Sequence, residues 1–187
     1  VPFSEDDGGF DGGPVEMMVV MERLGRGLVV EPYLANVVLA GGVLRRAAND
    51  AQKSDWLQSM IAGELQTTVA FVERQARYEV NDVSTTATKD GDSWVLNGAK
   101  IYVLNGDTAE LMIIPARTSG DESDSNGITL FGVATNSDGI SIRVYETVDG
   151  LRAAEVSLKN VSVSADHVIG EVGEGYAALA GAISDAT

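Results

Sequence analysis

Asp90-Gly91-Asp92-Ser93-Trp94-Val95-Leu96-Asn97-Gly98-Ala99-Lys100-Ile101-Tyr102-Val103-Leu104 is the stretch that decides the fold. Two short runs, Trp94-Val95-Leu96 and Lys100-Ile101-Tyr102, flank an Asn-Gly pair. A type I′ turn needs positive φ at both central residues, which asparagine and glycine accept most readily, so the pattern predicts a β-hairpin turning at Asn97-Gly98. Working outward, residues 67–71, 83–88, 93–96, 100–104, 110–117, 128–134, 140–145 and 154–158 are short β-rich runs. Asp90-Gly91, Asn105-Gly106, Asn126-Gly127 and Asp138-Gly139 punctuate them. Turns repeated at this spacing predict an antiparallel barrel or sandwich. Residues 118–126, with Asp121, Glu122 and Asp124, read as a solvated loop between strands.

On both sides of this block the apolar period changes from about 2 to about 3.6, the step that separates strand from helix. Residues 1–13, with the pairs Gly8-Gly9 and Gly12-Gly13, read as a loop. Pro14 then opens a helix, since the N–H it lacks would be unpaired at that position anyway. Met17, Met21, Leu24 and Leu28 follow at helical spacing, and Gly25 and Gly27 lie where the helix should stop. A second helix is predicted from Tyr33 to about Ala48. Its Ala40-Gly41-Gly42 step costs about 1 kcal/mol of propensity per glycine, which implies that another part of the backbone packs close there. Asn49 or Asp50 can cap a third helix with Trp56, Leu57, Met60 and Ile61 on one face, ending at Gly63. Beyond Gly173, Tyr176, Leu179, Ala180 and Ile183 restore the helical period. The expected class is α+β: a helical part over 1–66, a β-barrel part over 67–168 and the start of a second helical part over 169–187. A helix that begins only as the chain ends is expected to find its packing partners in further chain or in another subunit.

The 187 residues are 44% hydrophobic and 22% charged, the composition of a folded globule. The net charge is −15, and no basic cluster exceeds Arg45-Arg46. Such a surface repels phosphate backbones, so no nucleic-acid partner is expected. With no cysteine there is no disulfide, thiolate zinc site or cysteine nucleophile. His167 is the single histidine, which disfavours a histidine metal cluster or a Ser-His-Asp triad; no metal is expected. Residues 34–44 are interrupted by Asn36, Gly41 and Gly42 and are too short to span a bilayer. The expectation is a soluble, cytoplasmic protein without membrane contact.

Local chemistry alone is sparse. Gly8-Gly9 and Gly12-Gly13 lack the preceding strand that a phosphate-binding glycine loop requires. His167, after Asp166 in a turn, reads as an exposed, non-catalytic residue, and Tyr176 as a core position. Glu73, close to Arg74 and Arg77, reads as one end of a surface ion pair adding at most about 1 kcal/mol.

The order of helices, β block and helix, together with strings along essentially the whole chain, resembles the acyl-CoA dehydrogenase family. Residues 1–10, Val1-Pro2-Phe3-Ser4-Glu5-Asp6-Asp7-Gly8-Gly9-Phe10, are similar to its "vPeeyGGfG" segment. Glu16, Glu22, Arg23, Leu24, Gly25 and Arg26 then match "E…v.EelGR", and Gln52, Trp56, Leu57, Ala62, Gly63 and Glu64 match "qk..wLp.ia.GE". The most specific match is residues 90–100 against "dGd.yvlnG.K"; Gly150-Leu151-Arg152, residues 161–164 and Ile169-Gly170-Glu171 follow in the family order. The resemblance implies an FAD-dependent oxidoreductase of fatty acid or sterol degradation, with an acyl-CoA substrate. It takes a hydride from Cβ of the thioester onto the flavin while a glutamate removes the Cα proton. It further implies electron transfer to an electron-transferring flavoprotein and a homo- or hetero-oligomer, a dimer of dimers. Family members are roughly twice this length and carry the base in the C-terminal helical domain, so the resemblance implies a fragment, inactive alone, whose own catalytic residue is unknown.

Carried over residue by residue, the family's "TEP.aGSD" segment falls on residues 72–79 and its "K.WiTNG" on residues 100–106. Phe71, Val72, Tyr102 and Leu104 are thereby placed at the flavin ring, and Arg77 and Tyr78 towards its phosphates or the substrate entrance. Val72 and Leu104 stand where the family has threonines, so both side-chain hydroxyls at the ring are lost, and Arg77 replaces a glycine. The resemblance leaves two readings: a divergent working dehydrogenase, or a non-catalytic subunit with a degenerate flavin site that completes a heteromeric partner.

Overall fold

The chain does not turn at Asn97-Gly98. In the computed structural model, which describes residues 2–187 and leaves Val1 of the opening segment outside the described residues, Ser93–Leu104 is one continuous strand. The tight turn lies at Gly91-Asp92, where Asp90 pairs with Ser93. Asn97-Gly98 is instead a bulge: pairing with the neighbouring strand shifts between Leu96 and Gly98. Asn97 Oδ1 accepts the Asn160 N–H across it at 2.8 Å. Gly98 has φ +156°, and a Cβ there would lie 2.5 Å from Thr85 Oγ1. Positive φ and a missing side chain serve a bulge as well as a turn, and the apolar residues on both sides keep the same partner strand.

The strands are β1 (Thr67–Val69), β2 (Thr86–Asp90), β3 (Ser93–Leu104), β4 (Leu111–Arg117), β5 (Ile128–Ala134), β6 (Ile140–Glu146), β7 (Arg152–Ser164) and β8 (Val168–Ile169). They form one sheet in the order β6-β7-β3-β2-β4-β5-β8, with β1 beside β4. Most neighbours are antiparallel, as expected; β1 runs parallel to β4, and so does the Thr86–Arg117 contact between β2 and β4, which makes the sheet mixed. One face curls around a core containing Trp94, Leu96, Met112, Ile114, Phe131, Val156 and Val161, with Trp94 and Phe131 edge to face at 5.7 Å between centroids. Alternation sends Ile113, Leu130 and Ile169 to the other face, into a second core shared with the helices.

The helical residues form α1 (Pro14–Gly27), π1 (Leu34–Ala40), α2 (Gly41–Ala47), α3 (Asp50–Gln52), π2 (Lys53–Leu57), α4 (Gln58–Ile61) and α5 (Tyr176–Asp185). The second and third predicted helices are thus each interrupted by π-helical turns. Asn49 caps the third, its Oδ1 accepting from Gln52 N at 2.9 Å. At the Gly41-Gly42 step a Cβ on Gly41 would lie 2.4 Å from Phe3 Cζ, and one on Gly42 3.2 Å from Ala182 Cβ, so close packing does explain the glycines, but side chains and not another backbone make the closest approach. Buried Asn36 ties π1 to β1 by accepting from Thr67 N at 2.9 Å. Gln52 ties α3 to the turn before β8, donating to the carbonyls of Asp166 and Val168 at 2.9 and 2.7 Å. Tyr176 is only half-buried, Leu179 and Ala182 filling the core position expected of it, and His167 is exposed in its turn as expected. Among the described residues no helix is long and apolar enough to cross a membrane.

The segment 118–126 is more than a solvated loop. Arg117, 7% exposed, donates to the carbonyls of Asn81, Glu122, Asp124 and Asn126 at 2.8, 2.6, 2.9 and 2.8 Å, so the loop folds around its guanidinium.

Candidate functional site

The site is organised by a second irregularity in β3. Pairing with β7 shifts between Lys100 and Val103, which takes Ile101 and Tyr102 out of the ladder. The Ile101 N–H is satisfied instead by the Val72 carbonyl, at 2.8 Å. Tyr102 has φ +51°, a left-handed conformation that a bulky side chain rarely adopts, and its ring is 49% exposed. An aromatic face held out of a sheet by a strained bulge is a feature found at ligand sites. The structure therefore brings Val72 beside the Ile101-Tyr102 step.

Two residues further on, Leu104 is half-buried and lines a cavity of about 590 Å³. The opposite wall comes from Val30, Pro32 and π1, through Leu34 and Ala35, and the rim carries Glu31, Asp107 and Arg152. π-helical turns recur at functional sites because they re-aim side chains that a regular helix would bury. Gln66 and Asn105 also border the cavity, and Gln66 Oε1 and Asn105 Nδ2 are buried with no hydrogen-bond partner among the described residues. Asn105 Oδ1 accepts from Thr108 Oγ1 at 2.5 Å, so its amide donor is the free end.

Glu73 corrects the surface-pair expectation. It is 2% exposed and does not meet Arg74 or Arg77; its Oε1 lies 2.6 Å from Lys100 Nζ, itself fully buried. Oε2 accepts from Ser84 Oγ at 2.6 Å, and from Ser84 N and Gln75 Nε2 at 2.9 Å each; Oε1 also accepts from Thr85 N at 3.1 Å. Lys100 gives a second proton to the Pro115 carbonyl at 2.8 Å. Burial alone would raise the Glu73 carboxyl, but the Lys100 charge and these donors outweigh it and hold the pKa at about 2. For Lys100 burial dominates and moves the ammonium below its ordinary value, against the pull of Glu73.

The other candidates are more dispersed. Phe71 is half-buried and packs on the core shared with the helices. Arg77 and Tyr78 are exposed on the following loop, Tyr78 at 97%, and neither side chain meets a hydrogen-bonding or ion-pair partner among the described residues. Arg77 nonetheless has φ +53°, the left-handed conformation that a glycine at this position adopts without penalty. The sequence reading missed the Glu73–Lys100 pair and the cavity wall at Gln66, Asn105 and Arg152. A lysine at a strand position expected to be half-buried was the available signal for the first.

The chain is similar to known proteins in sequence and in fold. A model of the N-terminal domain of acyl-CoA dehydrogenases matches residues 1–64, and one of the middle domain matches residues 68–161. The (2S)-methylsuccinyl-CoA dehydrogenase of Cereibacter sphaeroides is 29% identical over 94% of the chain and 34% of its own length. The structure of glutaryl-coenzyme A dehydrogenase with glutaryl-CoA superposes with a TM-score of 0.90 at 25% identity, over 98% of this chain and 48% of that one. The FAD complex of PigA shares the fold, with a TM-score of 0.88 at 22% identity over 99% and 53%. The chain thus spans between a third and about half of the proteins it matches. Since the middle-domain match alone takes in half of the residues, including both bulges of β3 and the loop that Glu73 anchors, the chain belongs to the acyl-CoA dehydrogenase family.

Proposed function

We propose that the chain forms the N-terminal and middle parts of an FAD-dependent acyl-CoA dehydrogenase, which introduces a Cα=Cβ double bond into an acyl-CoA thioester. The observation that carries this reading is that one strand, β3, carries a half-exposed tyrosine in a left-handed bulge, Tyr102, and two residues later a leucine, Leu104, that lines a largely apolar cavity. A redox ring and an acyl chain have to be neighbours for hydride transfer, and two candidate surfaces on one strand support that reading.

The residues present fit a flavin. Tyr102 offers a half-exposed aromatic face for stacking, Val72 and Leu104 are apolar neighbours for a ring edge, and Asn105 Nδ2 is a buried donor in need of an acceptor. FAD, when bound, supplies the two-electron acceptor. The chain's own contribution is placement and exclusion of water. Val72 and the Ile101-Tyr102 bulge set one wall, while Leu34, Ala35 and Leu104 surround the acyl chain with apolar surface. The proton-abstracting base is assigned to no residue of 1–187; on this reading it belongs to a further helical domain. The division into 1–66, 67–168 and 169–187, the role of Arg77 and Tyr78 near the phosphates or the entrance, assembly as a dimer of dimers, an electron-transferring flavoprotein as acceptor and a cytoplasmic setting all belong to the same proposal.

The test is the visible spectrum of the complete protein. A flavin band near equimolar with protein, bleached by an acyl-CoA without oxygen, is the expected result. A colourless protein that takes up flavin only with a second polypeptide overturns it in favour of a non-catalytic subunit.

A further inference from the structure

We infer that the buried Glu73–Lys100 ion pair is a positioning device: it holds the Val72 loop and the Ile101-Tyr102 bulge in one geometry and thereby sets the affinity of the ring site. The inference rests on the flavin reading above for its ligand, but its geometric half stands on this structure alone.

Both charges are withdrawn from water, Glu73 at 2% and Lys100 at 0% exposure. Two ions buried together gain little or nothing over a well-packed apolar pair of the same volume, so stability alone does not account for them. Their placement does. Glu73 directly follows Val72, whose carbonyl holds Ile101, and Lys100 is the last residue in register before the bulge. The 2.6 Å contact between them therefore closes a second tie across the same two segments.

Each partner is also fixed from elsewhere. Ser84 and Thr85 hold the carboxylate from the approach to β2, and the Pro115 carbonyl holds the ammonium from β4. The pair and its partners join four parts of the chain at the point where the backbone leaves its ladder. A left-handed tyrosine persists only where its surroundings over-determine it, and these ties supply that constraint two residues before Tyr102. Arg74 and Arg77, the nearer basic residues in sequence, could not do so from the exposed loop surface.

The experiment compares the complete FAD-loaded protein with the double variant E73Q/K100M, which removes both charges while keeping size and retains one side-chain oxygen as acceptor, for Ser84 or for Thr85. S84A serves as a milder second variant. Circular dichroism reports the fold, flavin titration of the apoprotein reports affinity, and hydrogen exchange reports residues 72–77 and 100–104 with and without FAD. The expected result is a folded double variant with FAD affinity weakened about tenfold or more, a shifted flavin band, and faster exchange confined to those two segments, with S84A intermediate. A folded double variant with affinity within about twofold of wild type and unchanged exchange overturns the inference. Loss of fold in both variants overturns it as well, since the pair is then structural. Should the wild-type protein hold no FAD, the flavin reading fails, while exchange in the flavin-free protein still decides whether the pair fixes the bulge.

Discussion

Trp56 of π2 and Gly132 of β5 share one volume: a Cβ on Gly132 would lie 2.6 Å from Trp56 Cη2 and 2.8 Å from Cζ3. His167 completes the contact, its ring edge to face with the indole at 5.3 Å and its Nδ1 3.1 Å from the Gly132 carbonyl. The helical segment is thus keyed to the sheet through a missing side chain. Gly132→Ala should therefore destabilise the protein by about 1–3 kcal/mol, because a rigid indole cannot move aside as a flexible chain could. Thermal unfolding of the variant measures it, and an unchanged midpoint contradicts the close contact.

The second prediction concerns acid. The Glu73 pKa is about 2 against an ordinary 4.5, so the folded state binds this proton less readily than the unfolded chain. Its contribution to stability is complete above about pH 4.5 and is lost as the pH falls towards 2. Denaturation followed between pH 7 and 3 should show the wild type losing stability through the lower half of that range more steeply than E73Q/K100M. Parallel profiles for the two proteins count against an ionised, buried Glu73.

Arg117 supports a third. Its guanidinium donates to four loop carbonyls at 2.6 to 2.9 Å, and a methionine in its place leaves those acceptors partly buried without a donor. Arg117→Met should cost about 2–4 kcal/mol and open residues 118–126 to protease. Arg117→Lys keeps the charge without the planar fork and should fall between. Chemical denaturation with limited proteolysis separates these outcomes from a loop that is indifferent to Arg117.

A fourth prediction runs in the stabilising direction. Val72 and Leu104 present no hydroxyl beside the Tyr102 bulge, and one neutral hydrogen bond contributes about 1 kcal/mol. On the proposed function, Leu104→Thr in the complete protein should tighten FAD by up to about tenfold, and Val72→Thr with Leu104→Thr by more. Flavin titration gives the answer; weaker binding in both places the ring elsewhere.

Much of this was legible before any coordinates. The change of apolar period near Gly63 and the capping asparagine at position 49 depend on neighbours within a turn or two, and the structure shows them as read; the Gly41-Gly42 step announced close packing, but its partners, Phe3 and Ala182, are distant in sequence. Tyr102 and Val72, singled out by the family strings, lie in neighbouring segments tied by the Ile101 N–H to the Val72 carbonyl. The Asn97-Gly98 hairpin misled because positive φ is a local requirement that a turn and a bulge share.

What the sequence determined by itself was the short-range part: where helix gives way to strand, which residues accept unusual backbone angles, and the family strings. Tertiary structure alone chose the partners. Glu73 lies 27 residues from Lys100 and one from Arg74, yet it pairs with the distant charge because the sheet seals both from water and leaves the arginine outside. The cavity at Leu104 likewise exists only because four separated segments converge on it. Proximity in a folded sheet is set by strand order, which no local pattern encodes.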